Sequence, residues 1–134
     1  MKNEPMVRER QLTELDFVRL SRLEGAPAAD ALADVLGVAD LVPSRDIGPD
    51  IVTMYSMVEL LLARSGECRR FTLCYPADAE PAAGFVSVLS PMGAALLGLR
   101  VGEVACWLTP GGDAVRGEVR AILFQPEASG DYLT

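Results

Sequence analysis

Val88-Leu89-Ser90-Pro91-Met92-Gly93-Ala94-Ala95-Leu96-Leu97-Gly98-Leu99-Arg100-Val101-Gly102-Glu103 reads as a strand end, a serine turn, a short apolar helix and a glycine exit. Ser90 is a natural N-cap. Pro91 suits the first helical position, where its φ is already helical and its missing N–H would have no partner anyway. Ala94, Ala95, Leu96 and Leu97 favour helix, and Gly98 offers the left-handed conformation that ends one after about two turns. A helix so short and apolar is marginal alone in water, where roughly 12 residues are needed. It must lie on something, and the flanking residues supply a sheet.

Downstream, residues 104–109 and 115–124 have strand composition and are joined through Pro110-Gly111-Gly112-Asp113, a hairpin turn whose glycines accept positive φ. In the last strand Arg116, Glu118 and Arg120 are expected on one face, with Val115, Val119, Ala121 and Leu123 broadly on the other. Upstream, residues 85–89 form a short strand feeding the helix, and residues 57–64 and 69–75 a hairpin turned by Ser65-Gly66-Glu67. Phe71, Leu73 and Tyr75 share one face of its second arm. Residues 51–56 are expected as a strand or its approach.

Nearer the start the period changes. Residues 1–11 show no apolar repeat and are expected to be frayed. Thr13 and Asp16 approximate a capping box, with Leu12 placed as a hydrophobic staple. A helix over residues 14–23 would bury Leu15, Leu20, Leu23 and one of Phe17 and Val18, until Glu24-Gly25-Ala26-Pro27 breaks it. A second helix over residues 28–39 carries Leu32, Val35, Leu36 and Ala39 at helical spacing. Together they predict a short antiparallel helical hairpin, a coiled coil in kind, occupying residues 1–42. Pro43, Gly48 and Pro49 exclude helix and central strand from a linker that the two prolines keep stiff, and residues 43–134 form the C-terminal domain. Helices set apart from a mostly antiparallel sheet with one short helix make the chain α+β.

Composition narrows the chemistry. A chain of 134 residues with 50% hydrophobic residues can bury one core. Its net charge of −7, with Lys2 the only lysine, is a poor basis for gripping nucleic-acid backbone or reading its sequence, so a protein partner is expected. The absence of histidine removes His-based acid–base catalysis, Ser-His-Asp triads and His-containing zinc sites. Cys68, Cys74 and Cys106 lack metal-ligand spacing; Cys74 and Cys106 read as core residues, and three thiols suit a reducing compartment. Pro110-Gly111-Gly112 is no phosphate cradle, since it joins two strands and no lysine follows. No metal or cofactor is expected. The first residues are unlike a signal peptide and no apolar run approaches the roughly 20 residues of a membrane span, which leads to the expectation of a cytoplasmic protein.

The run from Ser90 to Glu103, followed by Pro110-Gly111-Gly112, resembles the C-terminal domain of the GreA/GreB transcript-cleavage factors. Val52-Thr53-Met54-Tyr55-Ser56 and the tail Phe124-Gln125-Pro126-Glu127-Ala128, with Gly130-Asp131-Tyr132, are similar to the branch of that family called regulators of nucleoside diphosphate kinase. The likeness runs from about residue 12 to the end. It implies an FKBP-like domain behind the hairpin, and RNA polymerase as partner. In the family the hairpin enters the polymerase secondary channel, where clustered carboxylates at its tip help hold the catalytic Mg²⁺ and an attacking water, as a hard cation requires.

On this sequence the tip falls at Glu24, Gly25 and Asp30. A first arm of about ten residues spans only about 15 Å, shorter than cleavage-factor hairpins, so the expectation is a monomer that occupies the channel and competes with longer factors without cleaving RNA. The resemblance places Ser90, Pro91, Met92 and Gly93 against the rim helices of the channel, where an exposed methionine would suit an adaptable contact. The plainer alternatives are a cap that merely starts a helix and solvated acids on a turn. Two enzymatic readings stand beside this one: active transcript cleavage, and peptidyl-prolyl isomerisation. The latter needs a pocket of several aromatic rings, whereas the four Phe, three Tyr and single Trp are dispersed, with Trp107 reading as core.

Overall fold

The computed structural model describes residues 10–23 and 30–130. Its elements are β1 (Arg10–Thr13), α1 (Glu14–Ser21), α2 (Asp30–Val38), β2 (Ala39–Val42), β3 (Met57–Leu62), β4 (Cys68–Cys74), β5 (Phe85–Ser87), α3 (Pro91–Leu96), β6 (Val104–Leu108) and β7 (Ala114–Phe124). Five strands form one sheet in the order β5-β4-β3-β7-β6, antiparallel except where β4 meets β5. β7 slips twice against β3, between Met57 and Val58 and between Glu59 and Leu60. Each slip sharpens the local twist, and the sheet curls. The slips also break the expected alternation: Val119 faces the core opposite Leu60, but Ala121 pairs with Glu59 and Leu123 is exposed.

Inside the curl, Val58, Leu60, Phe71, Leu73 and Val119 meet Leu96, Leu97 and Leu99 from α3 and its exit. α3 begins and ends as its residues dictate, on a Ser90 cap and at Gly98, whose φ is +82°. Residues 52–56 are not a strand. Met54 and Ser56 are as buried as Val52, and the backbone groups are satisfied irregularly: Val52 N donates to Leu99 O (2.8 Å), Tyr55 N to Leu73 O (2.7 Å) and Thr53 N to the Ser56 hydroxyl (2.9 Å). Tyr55 takes a φ of +66°, which few residues other than glycine adopt. The expected burial of Cys74 holds, but Cys106 lies on the exposed face of β6.

Among the described residues α1 and α2 do not build the expected coiled coil. The helices are eight and nine residues long, about 12 and 13 Å, and they are bracketed by two strands the sequence reading missed. β1 pairs with β2 in parallel, from Arg10↔Ala39 to Thr13↔Val42. Leu20, Leu32, Val35 and Leu36 bury into the same cluster as Leu96 and Leu97 rather than only against each other. At roughly 1.5–3 kcal/mol per buried side chain, that burial and not helix propensity holds α1 and α2. Val18 points to solvent, and the buried residue beside it is Asp16. The capping box is half made: the Thr13 hydroxyl accepts from Asp16 N (3.0 Å), while the Asp16 carboxylate accepts from Met54 N (3.2 Å). The FKBP-like assignment falls as well, because a curled five-stranded sheet sharing one core with three helices is the arrangement of a different set of solved structures, given below.

Candidate functional site

The Ser90 turn is built by a small hydrogen-bonded knot. Ser90 Oγ donates to Ser87 O (2.7 Å) and accepts from Gly93 N (3.0 Å), while Ser87 Oγ accepts from Leu89 N (3.0 Å). Gly93 is required by space: a Cβ there would stand 2.0 Å from the Ser87 carbonyl oxygen. Of the four residues proposed for contact, Pro91 is exposed, Ser90 and Met92 are half-buried, and Gly93 is buried. Met92 packs against the core, so the exposed methionine expected there is absent and Pro91 takes its place at the surface.

Pro91 lies on the wall of an open apolar cleft of about 370 Å³ between α2, α3 and β6. Val35, Ala94, Ala95, Trp107 and Leu108 supply the apolar lining, and Arg10 and Asp34 the charges. Leu108 is 60% exposed and carries the apolar lining out to the surface. Arg10 fixes the floor: its guanidinium Nη1 donates to the carbonyls of Leu97 (3.0 Å), Ala94 (3.1 Å) and Ala95 (3.3 Å), placing a cation at the C-terminal end of α3, where the helix dipole favours one. Burial lowers the Arg10 pKa, and the nearby Glu103 opposes that shift. No local signal marks Arg10, because its role depends on β1. Trp107 was assigned to the core and serves both, packing on the core with one part while lining the cleft with another.

Of the expected hairpin tip, Glu24 and Gly25 lie outside the described residues. Asp30 is the first residue of α2 and exposed, and Asp34, one turn on, lines the cleft. Among the described residues no group of three or more Cys, Asp or Glu is placed to hold a metal ion, and no helix is long and apolar enough to cross a membrane.

Elsewhere in the domain the two remaining sequence motifs meet. Gln125 Nε2 donates to Gly48 O (2.8 Å) and Ile51 O (2.7 Å), and Thr53 Oγ1 donates to Glu127 Oε1 (2.7 Å). Tyr55 donates its hydroxyl hydrogen to the Asp78 carboxylate, and its ring tilts against Tyr75, centroids 5.7 Å apart. Burial first, then Asp78, pushes the Tyr55 phenol up to about 12; burial, then Asp16, does the same for Tyr75.

A family model described as transcription elongation factor, GreA/GreB, C-term matches residues 47–124. The chain is 46% identical over 128 residues to the regulator of nucleoside diphosphate kinase of Escherichia coli strain K12, covering 91% of this chain and 94% of that protein. Among solved structures it is similar to the prokaryotic transcription elongation factor GreA/GreB from Nitrosomonas europaea, with a TM-score of 0.73 and 33% identity over 88% of this chain and 100% of that one. It is also similar to GreA factor homolog 1 (Gfh1) of Thermus thermophilus, with a TM-score of 0.50 and 27% identity over 87% of this chain and 100% of that one.

Proposed function

Because the chain belongs to the GreA/GreB family of transcription elongation factors, we propose that it binds RNA polymerase at the secondary channel, occupying the place of longer-armed factors without cleaving RNA. The turn Ser90, Pro91, Met92 and Gly93, with Pro91 on the wall of the cleft beside α3, sits at the channel rim, and the segment carrying Glu24, Gly25 and Asp30 sits at the mouth. Residues 1–42 then serve as the prong and residues 43–134 as the docking domain. The observation that carries this reading is the length of α1 and α2. Arms of eight and nine residues whose apolar sides are spent on the domain's own core reach about 12–13 Å, which argues for blocking a channel over delivering carboxylates to a metal deep inside it. With a net charge of −7 and no lysine beyond Lys2, contact with polymerase comes through protein surfaces rather than through sequence-specific nucleic-acid binding, and the protein acts as a cytoplasmic monomer.

Competition tests the proposal. Purified RNA polymerase loaded with a labelled cleavage factor should release it as this protein is added, and stalled complexes should keep their RNA at full length. Simultaneous binding of both factors, or shortening of the transcript by this protein alone, overturns it.

A further inference from the structure

Asp16 and Glu127 approach each other from opposite ends of the chain and are both buried, at 1% and 7% exposure. Asp16 stands on α1; Glu127 stands on a 3-10 turn, Glu127–Ser129, that follows β7. Between them runs the irregular segment 52–56, which gives Met54 N to Asp16 Oδ2 (3.2 Å) and the Thr53 hydroxyl to Glu127 Oε1 (2.7 Å). Among the described residues Asp16 Oδ1 has no hydrogen-bond partner. The charged and titratable groups facing Asp16 are Glu127 from the C-terminal turn, Arg19 one turn along α1, and Tyr75 just after β4. Two carboxylates in a water-poor site repel strongly when both are ionised, and an oxygen with no donor is where a proton can reside.

We infer that Asp16 and Glu127 form a proton-linked clasp, in which a proton on Asp16 lets α1, the 52–56 segment and the C-terminal turn close together and its loss loosens α1 from the domain. The clasp operates at physiological pH, since burial first, and Glu127 after it, raise Asp16 from 3.8 to about 7 against the opposing effects of Met54 N, Arg19 and Thr13. The sign follows from linkage: the folded chain keeps this proton where the unfolded chain has released it, so the contribution to stability is full below about pH 4, falls as pH rises toward 7, and is flat above. Over that window the unfolding equilibrium constant gains up to about tenfold per pH unit from this one group. The inference is independent of the polymerase reading, because its readouts need no partner.

Asp16→Asn removes the charge while keeping an acceptor for Met54 N. Between pH 5 and 7 the wild-type unfolding constant should rise about 50-fold relative to the variant, leaving the variant the more stable at pH 8, with slower hydrogen exchange at the Met54 amide after correction for intrinsic rates. Parallel pH dependence in the two proteins overturns the inference. Should Asp16→Asn not fold, Glu127→Gln, which keeps an acceptor for Thr53, reads the same pair: the Asp16 carboxyl carbon, followed by NMR, should titrate at lower pH than in the wild type. An unchanged midpoint overturns the clasp.

Discussion

Replacing Gly93 by alanine sets helix propensity against space, and space should win. On propensity alone a helical Gly→Ala change stabilises by up to about 1 kcal/mol. At Gly93, however, the new Cβ would sit 2.0 Å from the Ser87 carbonyl oxygen, where real Cβ contacts essentially never fall below 3.0 Å, so α3 has to move by about 1 Å or more. The cap suffers first, because the same glycine donates its N–H to Ser90 Oγ at 3.0 Å. Loss of a serine cap costs about 1 kcal/mol and overpacking about 1–3 kcal/mol. Less the propensity gain, the net is about 1–3 kcal/mol of destabilisation, or a fall of about 5–10 °C in Tm for a domain of this size. Gly37→Ala is the matched control: it too lies within a helix, but among the described residues nothing stands within 4 Å of its new Cβ, and it should stabilise by about 0.5–1 kcal/mol. Urea denaturation followed by circular dichroism measures both. A Gly93→Ala protein as stable as the wild type, or one that shifts the same way as Gly37→Ala, refutes the close approach of α3 to the β5 turn.

Arg10→Met keeps most of the side-chain volume but removes the cation from the carbonyls of Ala94, Ala95 and Leu97, and should cost about 1–3 kcal/mol by thermal denaturation, with little recovery in high salt because the site is partly buried. At alkaline pH, Tyr55 and Tyr75 hold their protons up to about 12, whereas in the unfolded chain they lose them near 10, so the fold should lose stability as pH rises between those values. Tyr75→Phe should flatten that part of the pH–stability curve, and an unchanged slope would remove Tyr75 from the account.

What the sequence made legible was carried by local signals. Ser90, Pro91 and Gly98 set the limits of α3 because caps and left-handed exits are decided within a few residues, and Gly111-Gly112 marks the β6–β7 turn for the same reason. The family likeness rested on those same turns. Pairings between distant residues were not legible. β1 and β2 are four residues each and pair only because α1 and α2 return the chain beside its start, so Arg10–Thr13 looks like a polar beginning until Ala39–Val42 arrives next to it. Residues 52–56 have strand-like composition, yet their hydrogen bonds go to α3's exit and to β4 as a turn. Ala121 and Leu123 fell on the wrong face because a two-residue period cannot foresee a bulge. For the cleft, Pro91 was visible and Arg10, Asp34 and Leu108 were not, since three separate elements bring them together.

The parallel β1–β2 pair has an implication for how the molecule bears load. It zips the two feet of the α1–α2 excursion at the domain surface, Arg10 to Ala39 and Thr13 to Val42, with Gly98 N held by Val52 O just beneath. The base is fixed twice over, because Leu20, Leu32, Val35 and Leu36 also sink into the domain's core. A pull on the helices is thereby shared between the paired strands at the base and a buried apolar contact, so the two chain segments there stay in register with each other.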